Sequence, residues 1–160
     1  MAKAYLLLGG NVGDRFKIIN QSIILIEERI GIVIQQSSKY ETVPWGFDTN
    51  NLFLNQAITI ETNYTANEVL EKIHQIEAEL GRVRIGEQYA SRTVDIDIIF
   101  YENLIITQRD LIIPHIHLYK RRFVLEPLNE LCPDYIHPVL NKPVRQLHEE
   151  CNDPLQVMKI

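Results

Sequence analysis

Residues 94–101, VDIDIIFY, set two aspartates inside a run of valine, isoleucine and phenylalanine. In a β-strand alternate residues face the same way, so Asp95 and Asp97 share one face with Cα atoms about 6.6 Å apart, leaving Val94, Ile96 and Ile98 to pack into a core. Two carboxylates held together suffer mutual repulsion and desolvation unless something neutralises them. One or two Mg²⁺ ions would satisfy their oxygens and keep coordination positions open for substrate phosphates. A solvent-facing strand that merely carries charge explains the D-x-D alone equally well.

The neighbouring elements indicate what kind of sheet receives this strand. KAYLLLGG reads as a short buried strand ended by glycines, and GDRFKIINQSIILIEERIG carries apolar residues at helical spacing between Asp14 and Gly31. IVIQQSSKYETV is expected as a second strand and LFLNQAITIET as a third, separated by PWGFDTNN, a stretch longer than a hairpin needs. TANEVLEKIHQIEAELG opens on a Thr65/Glu68 capping box, lines up Val69, Leu70, Ile73, Ile76 and Leu80, and stops at Gly81. LIIT is expected to pair back on the 94–101 strand, and six prolines after residue 113 break the remainder into short mixed pieces. The order βαββαβ is the split βαβ arrangement: an α+β, ferredoxin-like antiparallel sheet with helices packed on one face. Such folds host enzymes, metal carriers, ligand sensors and RNA binders, so the fold does not choose a function.

The residues beside the aspartates narrow the choice. Gly81–Arg92 carries Arg82, Arg84 and Arg92, fork-shaped donors suited to phosphate oxygens on a closing lid. Arginine beside metal-binding carboxylate is equipment for phosphoryl transfer, although the same arginines could pair with Glu79 and Glu87. IPHIHLYKRRF adds His115 and His117, then Arg121 and Arg122. A closed zinc site needs further soft ligands that the sequence does not obviously offer, so His115 reads as a phosphate donor, while His117 is equally well read as a surface residue.

A net charge of −5 argues against broad nucleic-acid binding, which needs a basic face, and fits a small anionic ligand. No apolar run is long enough to span a bilayer, and a cytoplasmic location is expected. Cys132 and Cys151 are not spaced as a metal pair and read as reduced thiols. At 160 residues the expectation is one domain, 1–160.

LGGNVGDR, YETVPWG, FLNQAI, GRVR, SRTVDIDI, PH and RRFVLEPL together resemble, in order and spacing over residues 4 to about 133, the 6-hydroxymethyl-7,8-dihydropterin pyrophosphokinase family of folate-pathway enzymes. The resemblance implies that the pterin hydroxymethyl oxygen attacks the β-phosphorus of MgATP, transferring pyrophosphate and releasing AMP. It implies two Mg²⁺ ions on Asp95 and Asp97, with Arg82 and Arg92 stabilising the transferring group. Arg84, His115 and Arg121 would grip phosphates, Glu77 would lie on the nucleotide side, and Ile98 would line the adenine pocket through its backbone. For the pterin it implies largely backbone contacts at Thr42, Val43 and Trp45, a hydrogen bond from Asn55, stacking between Phe53 and Phe123, and closure by Tyr89. Phe53 and Asn55 share a strand face, which fits one pocket. A monomer acting on ATP and the pterin, without nucleic acid or membrane, is the family expectation. Gly10 stands where the family commonly has serine and Tyr89 where some members have tryptophan. Ile85, Ile112 and Ile116 replace polar residues at nucleotide-contacting positions of some members, and His74 stands in for a glutamine. Two rival classes are a metal-dependent phosphohydrolase or nuclease, which would use water and leave ADP or cleaved polymer, and a ligand-sensing domain indifferent to loss of Asp97.

Overall fold

In the computed structural model, which describes residues 1–42, 52–81 and 94–160, strand β1 (Ala2–Gly10) runs through the middle of an antiparallel sheet. It bonds β4 (Phe53–Thr62) on one side and β5 (Asp95–Tyr101) on the other. Along the far edge of β4 lie β2 (Ile32–Gln36) and β3 (Tyr40–Thr42), and β8 (Val157–Lys159) pairs with β3. With α1 (Arg15–Arg29) and α2 (Ala66–Gly81) between them, this is the strand order that the split βαβ pattern predicts.

The expected second strand is divided in two. Ser37 donates its N–H to Ala57 O at 2.8 Å, while its hydroxyl accepts the Ala57 N–H at 2.9 Å. A side chain thus takes the place of a ladder carbonyl, and the chain steps across before β3 begins.

Leu6, Leu8, Ile58 and Ile60 face α1 and α2, whose buried stripes include Ile19, Ile26, Ile73 and Ile76. Both helix signals in the sequence are realised. Asp14 caps α1 by accepting the Lys17 N–H at 3.1 Å, and Thr65 and Glu68 exchange bonds of 2.9 and 3.2 Å ahead of α2.

The opposite face is also covered, which corrects the expectation of helices on one side only. α3 (Arg122–Leu131) and α4 (Val144–Glu150) bury it against Tyr5, Leu7, Ala57 and Phe100. Pro127 lies inside α3 and does not break it. An interior proline costs ~3 kcal/mol, whereas burying Val124, Leu125, Leu128 and Leu131 contributes about 1.5–3 kcal/mol each. Cys132 packs into the same core, where burial pushes its thiol up to about 12, and both cysteines are free.

LIIT does not pair with β5. Ile106–Thr107 (β6) pairs instead with Ile112–Ile113 (β7). Glu102, at φ 48° and with its N–H on Lys3 O, turns the chain away after β5, and His115 donates its N–H to Ile99 O on that strand. No helix among the described residues is long and apolar enough to cross a membrane.

Candidate active site

The sheet register assembles the site. Gly9 pairs with Asp95 on one side and Asn55 on the other, and one step along, Leu7 pairs with Asp97 and Ala57. Directly paired residues share a face, and adjacent strands lie about 4.8 Å apart, so Asp95 and Asn55 stand about 10 Å from each other across the bare backbone of Gly9. A Cβ on Gly9 would come within 2.5 Å of Asn55 Oδ1. The Asn55 carboxamide therefore lies over Gly9, where only a residue without a side chain leaves it room. Thr42 pairs with Phe53, two residues from Asn55 on the same face.

A slip in the β1–β5 register between Tyr5 and Leu6 fixes which face this is. It inserts Ile99, so that Ile99 and Phe100 both enter the core under α3, while Ile96 and Ile98 stay in the core under α1 and α2. Asp95 and Asp97 thus share the α3 side of the sheet. Both are exposed, whereas Ile96 and Ile98 are 4% and 5% exposed. The aspartates are not core carboxylates, so burial does not by itself call for a neutralising ion. What remains is two hard oxygen donors on one exposed face, a set that suits Mg²⁺, which keeps several waters and binds through one or two carboxylates plus phosphates. Among the described residues no group of three or more His, Cys, Asp or Glu is gathered that could hold a metal ion.

Other expected residues arrive around this pair. His115 is half-buried, and burial lowers its pKa against the opposing pull of Asp97, with His117 and Arg121 lowering it further. It is neutral at pH 7, and those influences set His115, Asp97 and Arg121 in one electrostatic neighbourhood. Its Nδ1 accepts the His117 N–H at 3.4 Å, which leaves Nε2–H as the ring donor. Glu77 reaches from α2 to the β5 edge, accepting the Ile96 N–H between the two aspartates at 2.9 Å. The Ile98 side chain is in the core, so only its backbone can meet a ligand. Arg121 is exposed, its Cζ 5.8 Å from the Phe123 ring centroid, and Phe123 packs half-buried on the core under α3. Phe53 is 36% exposed and Asn55 4%. Thr42 is buried, with no hydrogen-bond partner for its hydroxyl among the described residues. His117 is exposed. Val43, Trp45, Arg82, Arg84, Tyr89 and Arg92 lie outside the described residues.

Three supports were not foreseen from sequence. Gly9 clears the ground for Asn55. Arg15 donates to Leu52 O at 2.7 Å and stands 3.7 Å from Glu41, joining the β3 and β4 ends that carry Thr42 and Phe53. Glu130 accepts from Ser38 N, Ser38 Oγ and Tyr40 Oη at 2.8, 3.2 and 2.6 Å, fixing β3 to α3. The last two join residues tens of positions apart, and no local motif marks them.

Against known proteins, residues 5–133 match the family model described as 7,8-dihydro-6-hydroxymethylpterin-pyrophosphokinase. The chain is 39% identical over 150 residues to the 2-amino-4-hydroxy-6-hydroxymethyldihydropteridine pyrophosphokinase of Aquifex aeolicus, covering 94% of this chain and 92% of that one. It is 41% identical over 130 residues to the protein of the same name from Bacillus subtilis, covering 81% and 77%. Among solved structures, Plasmodium falciparum HPPK-DHPS superposes with a TM-score of 0.78 at 20% identity, a likeness of fold. That match covers 93% of this chain but only 44% of the longer one.

Proposed function

The chain belongs to the 7,8-dihydro-6-hydroxymethylpterin-pyrophosphokinase family, and we propose that its described face carries that family's reaction, transfer of pyrophosphate from ATP to 6-hydroxymethyl-7,8-dihydropterin in folate biosynthesis. The observation that supports this most is the row Asp95, Gly9, Asn55. It provides a carboxylate station and a heterocycle station about 10 Å apart on one face, which suits a flat bicycle whose hydroxymethyl arm points toward a triphosphate.

Asn55 and the Thr42 hydroxyl, which has no partner among the described residues, take the polar edge of the pterin, and Phe53 and Phe123 take its faces. Val43 and Trp45 add backbone contacts, and Tyr89 closes over the ring. Asp95 and Asp97 would hold two Mg²⁺ ions, which would supply screening of the triphosphate charge and polarisation of the β-phosphoryl group. Neutral His115 donates to a phosphate oxygen without adding charge, while Arg84 and Arg121 grip phosphates, and Glu77 and the Ile98 backbone border the nucleoside. The hydroxymethyl oxygen bonds to the β-phosphorus, and the bond to the α,β-bridging oxygen breaks with its electron pair on AMP. The hydroxyl proton is released to water. Arg82 and Arg92 stabilise the charge that develops on the transferring group. Residues 1–160 act as one catalytic unit, a monomer in the cytoplasm.

The test is mass spectrometry of products after incubation with ATP, Mg²⁺ and 6-hydroxymethyl-7,8-dihydropterin. AMP together with the pterin diphosphate, and only with metal present, is expected. ADP or inorganic phosphate without modified pterin would replace this reading with the hydrolase.

A further inference from the structure

The helix that presents Phe123 begins without a cap of its own. Arg121 occupies the N-cap position of α3 and makes no capping bond with its side chain, although the first N–H groups of a helix need acceptors. The missing acceptor comes from the far end of the chain. Asp153 Oδ2 accepts the Arg122 N–H at 3.0 Å, and its other oxygen, Oδ1, accepts the Leu155 N–H at 3.0 Å. The Arg122 side chain answers in the opposite direction. Its Nε donates to Asp153 O at 3.1 Å, its Nη2 donates to Cys151 O at 2.9 Å, and Nη1 stands 3.8 Å from Glu126 one turn on. The two consecutive arginines therefore divide the work: Arg121 projects outward, and Arg122 locks the helix start onto residues 151–155.

This lock stands between the two site residues that flank it. Arg121 is exposed and lines a cavity of about 670 Å³ between Tyr119–Arg121 and Glu150–Leu155. The direction it takes, and the placement of the Phe123 ring beside it, depend on the backbone at Arg122. The lock also lies across the end of the family match: Arg122 falls within residues 5–133 and Asp153 beyond them.

We propose that Asp153 is a positioning residue of the active site, supplying from the C-terminal segment the cap of α3 that orients Phe123 toward the pterin and Arg121 toward the triphosphate. This rests on the roles of Phe123 and Arg121 given above. A carboxylate at a helix N-terminus also complements the helix dipole. The contacts it orients are made in the ground state as well as in the transition state, so their loss raises KM more than it lowers kcat.

The experiment compares Asp153→Ala, Asp153→Asn and Phe123→Ala with the parent enzyme, measuring kcat and KM for each substrate and the thermal midpoint. Asp153→Ala is expected to raise KM for the pterin about tenfold and KM for ATP severalfold, with kcat within about threefold of the parent. Asp153→Asn keeps a cap acceptor and is expected to restore most of both KM values. Should Asp153→Ala fail to fold, Asp153→Ser, which offers one shorter acceptor in place of the two oxygens that meet the Arg122 and Leu155 N–H groups, is expected to raise both KM values in the same direction, and parental KM values for it would overturn the proposal. A folded Asp153→Ala with parental KM values, or an Asp153→Asn no better than Asp153→Ala, would overturn the proposal. Phe123→Ala separates the two levels of inference. If it binds pterin normally, the role of the ring and the positioning role fall together; if it weakens binding and the Asp153 variants do not, only the positioning role falls.

Discussion

Gly9→Ala tests whether the bare backbone between the carboxylate and heterocycle stations is a requirement of the site. The new Cβ would meet Asn55 Oδ1 at 2.5 Å, with Asn55 Cγ at 3.6 Å and Leu54 O at 3.7 Å. Ordinary contact starts at 3.4 Å, so the carboxamide must retreat by about 0.9 Å. Asn55 is 4% exposed and cannot swing into solvent without disturbing its neighbours. Overpacking of this kind costs about 1–3 kcal/mol, and at about 2–4 °C per kcal/mol for a chain of this size the thermal midpoint drops by about 2–12 °C. The displaced carboxamide would also lose the hydrogen bond to the pterin proposed for it, worth about 1.4 kcal/mol, or tenfold in Kd. Because the three atoms nearest the new methyl all belong to β4, ATP affinity is expected to stay within about twofold. Differential scanning calorimetry and isothermal titration with pterin and with ATP read all three quantities. A variant with a parental melting point and parental pterin affinity would refute the reasoning, because it would mean that Asn55 does not lie where the register places it.

Asp97→Ala is expected to leave the melting point within about 3 °C, since the side chain is exposed, and to lower turnover at least about a hundredfold; a folded variant with near-parental rate counts against metal holding. His137 contributes to the pH dependence together with His115, whose pKa burial also lowers. The His137 Nδ1 accepts the Val139 and Leu140 N–H groups at 3.2 and 3.0 Å, and burial lowers its pKa below the ordinary 6.5. The unfolded chain then takes up a proton that the folded chain refuses, so this contribution is complete above pH 6.5 and is lost as pH falls through the depressed folded value. Melting points measured downward from pH 7.5 should therefore decline, and His137→Asn should flatten that slope; parallel slopes would exclude His137 as a source of it. Glu130→Ala removes the acceptor shared by Ser38 and Tyr40 and should cost about 1 kcal/mol, read from urea denaturation. An unchanged urea midpoint would show that β3 is held by its strand pairing alone.

Much of the architecture was legible because its determinants are local. Alternation around Asp95 and Asp97, the Thr65/Glu68 box and the apolar stripe of α2 are short-range patterns, and short-range sterics and hydrogen bonding realise them as written. Where the sequence misled, tertiary packing outweighed a local signal. Pro127 argued against a helix that four buried side chains hold in place, and the serines at 37 and 38 divided a strand that composition alone would have kept whole. The aspartates illustrate the division most plainly. Period-two alternation determined that they share a face, but whether that face is buried depends on where α3 and α4 lie, and they leave this end of the sheet open. The supports of the site were invisible for the same reason. Gly9 with Asn55, Arg15 with Leu52 and Asp153 with Arg122 are separated by tens of residues. The identities of such pairs stand in the sequence, but they become interactions only when the sheet register and the packing of α3 bring them within hydrogen-bond or van der Waals reach.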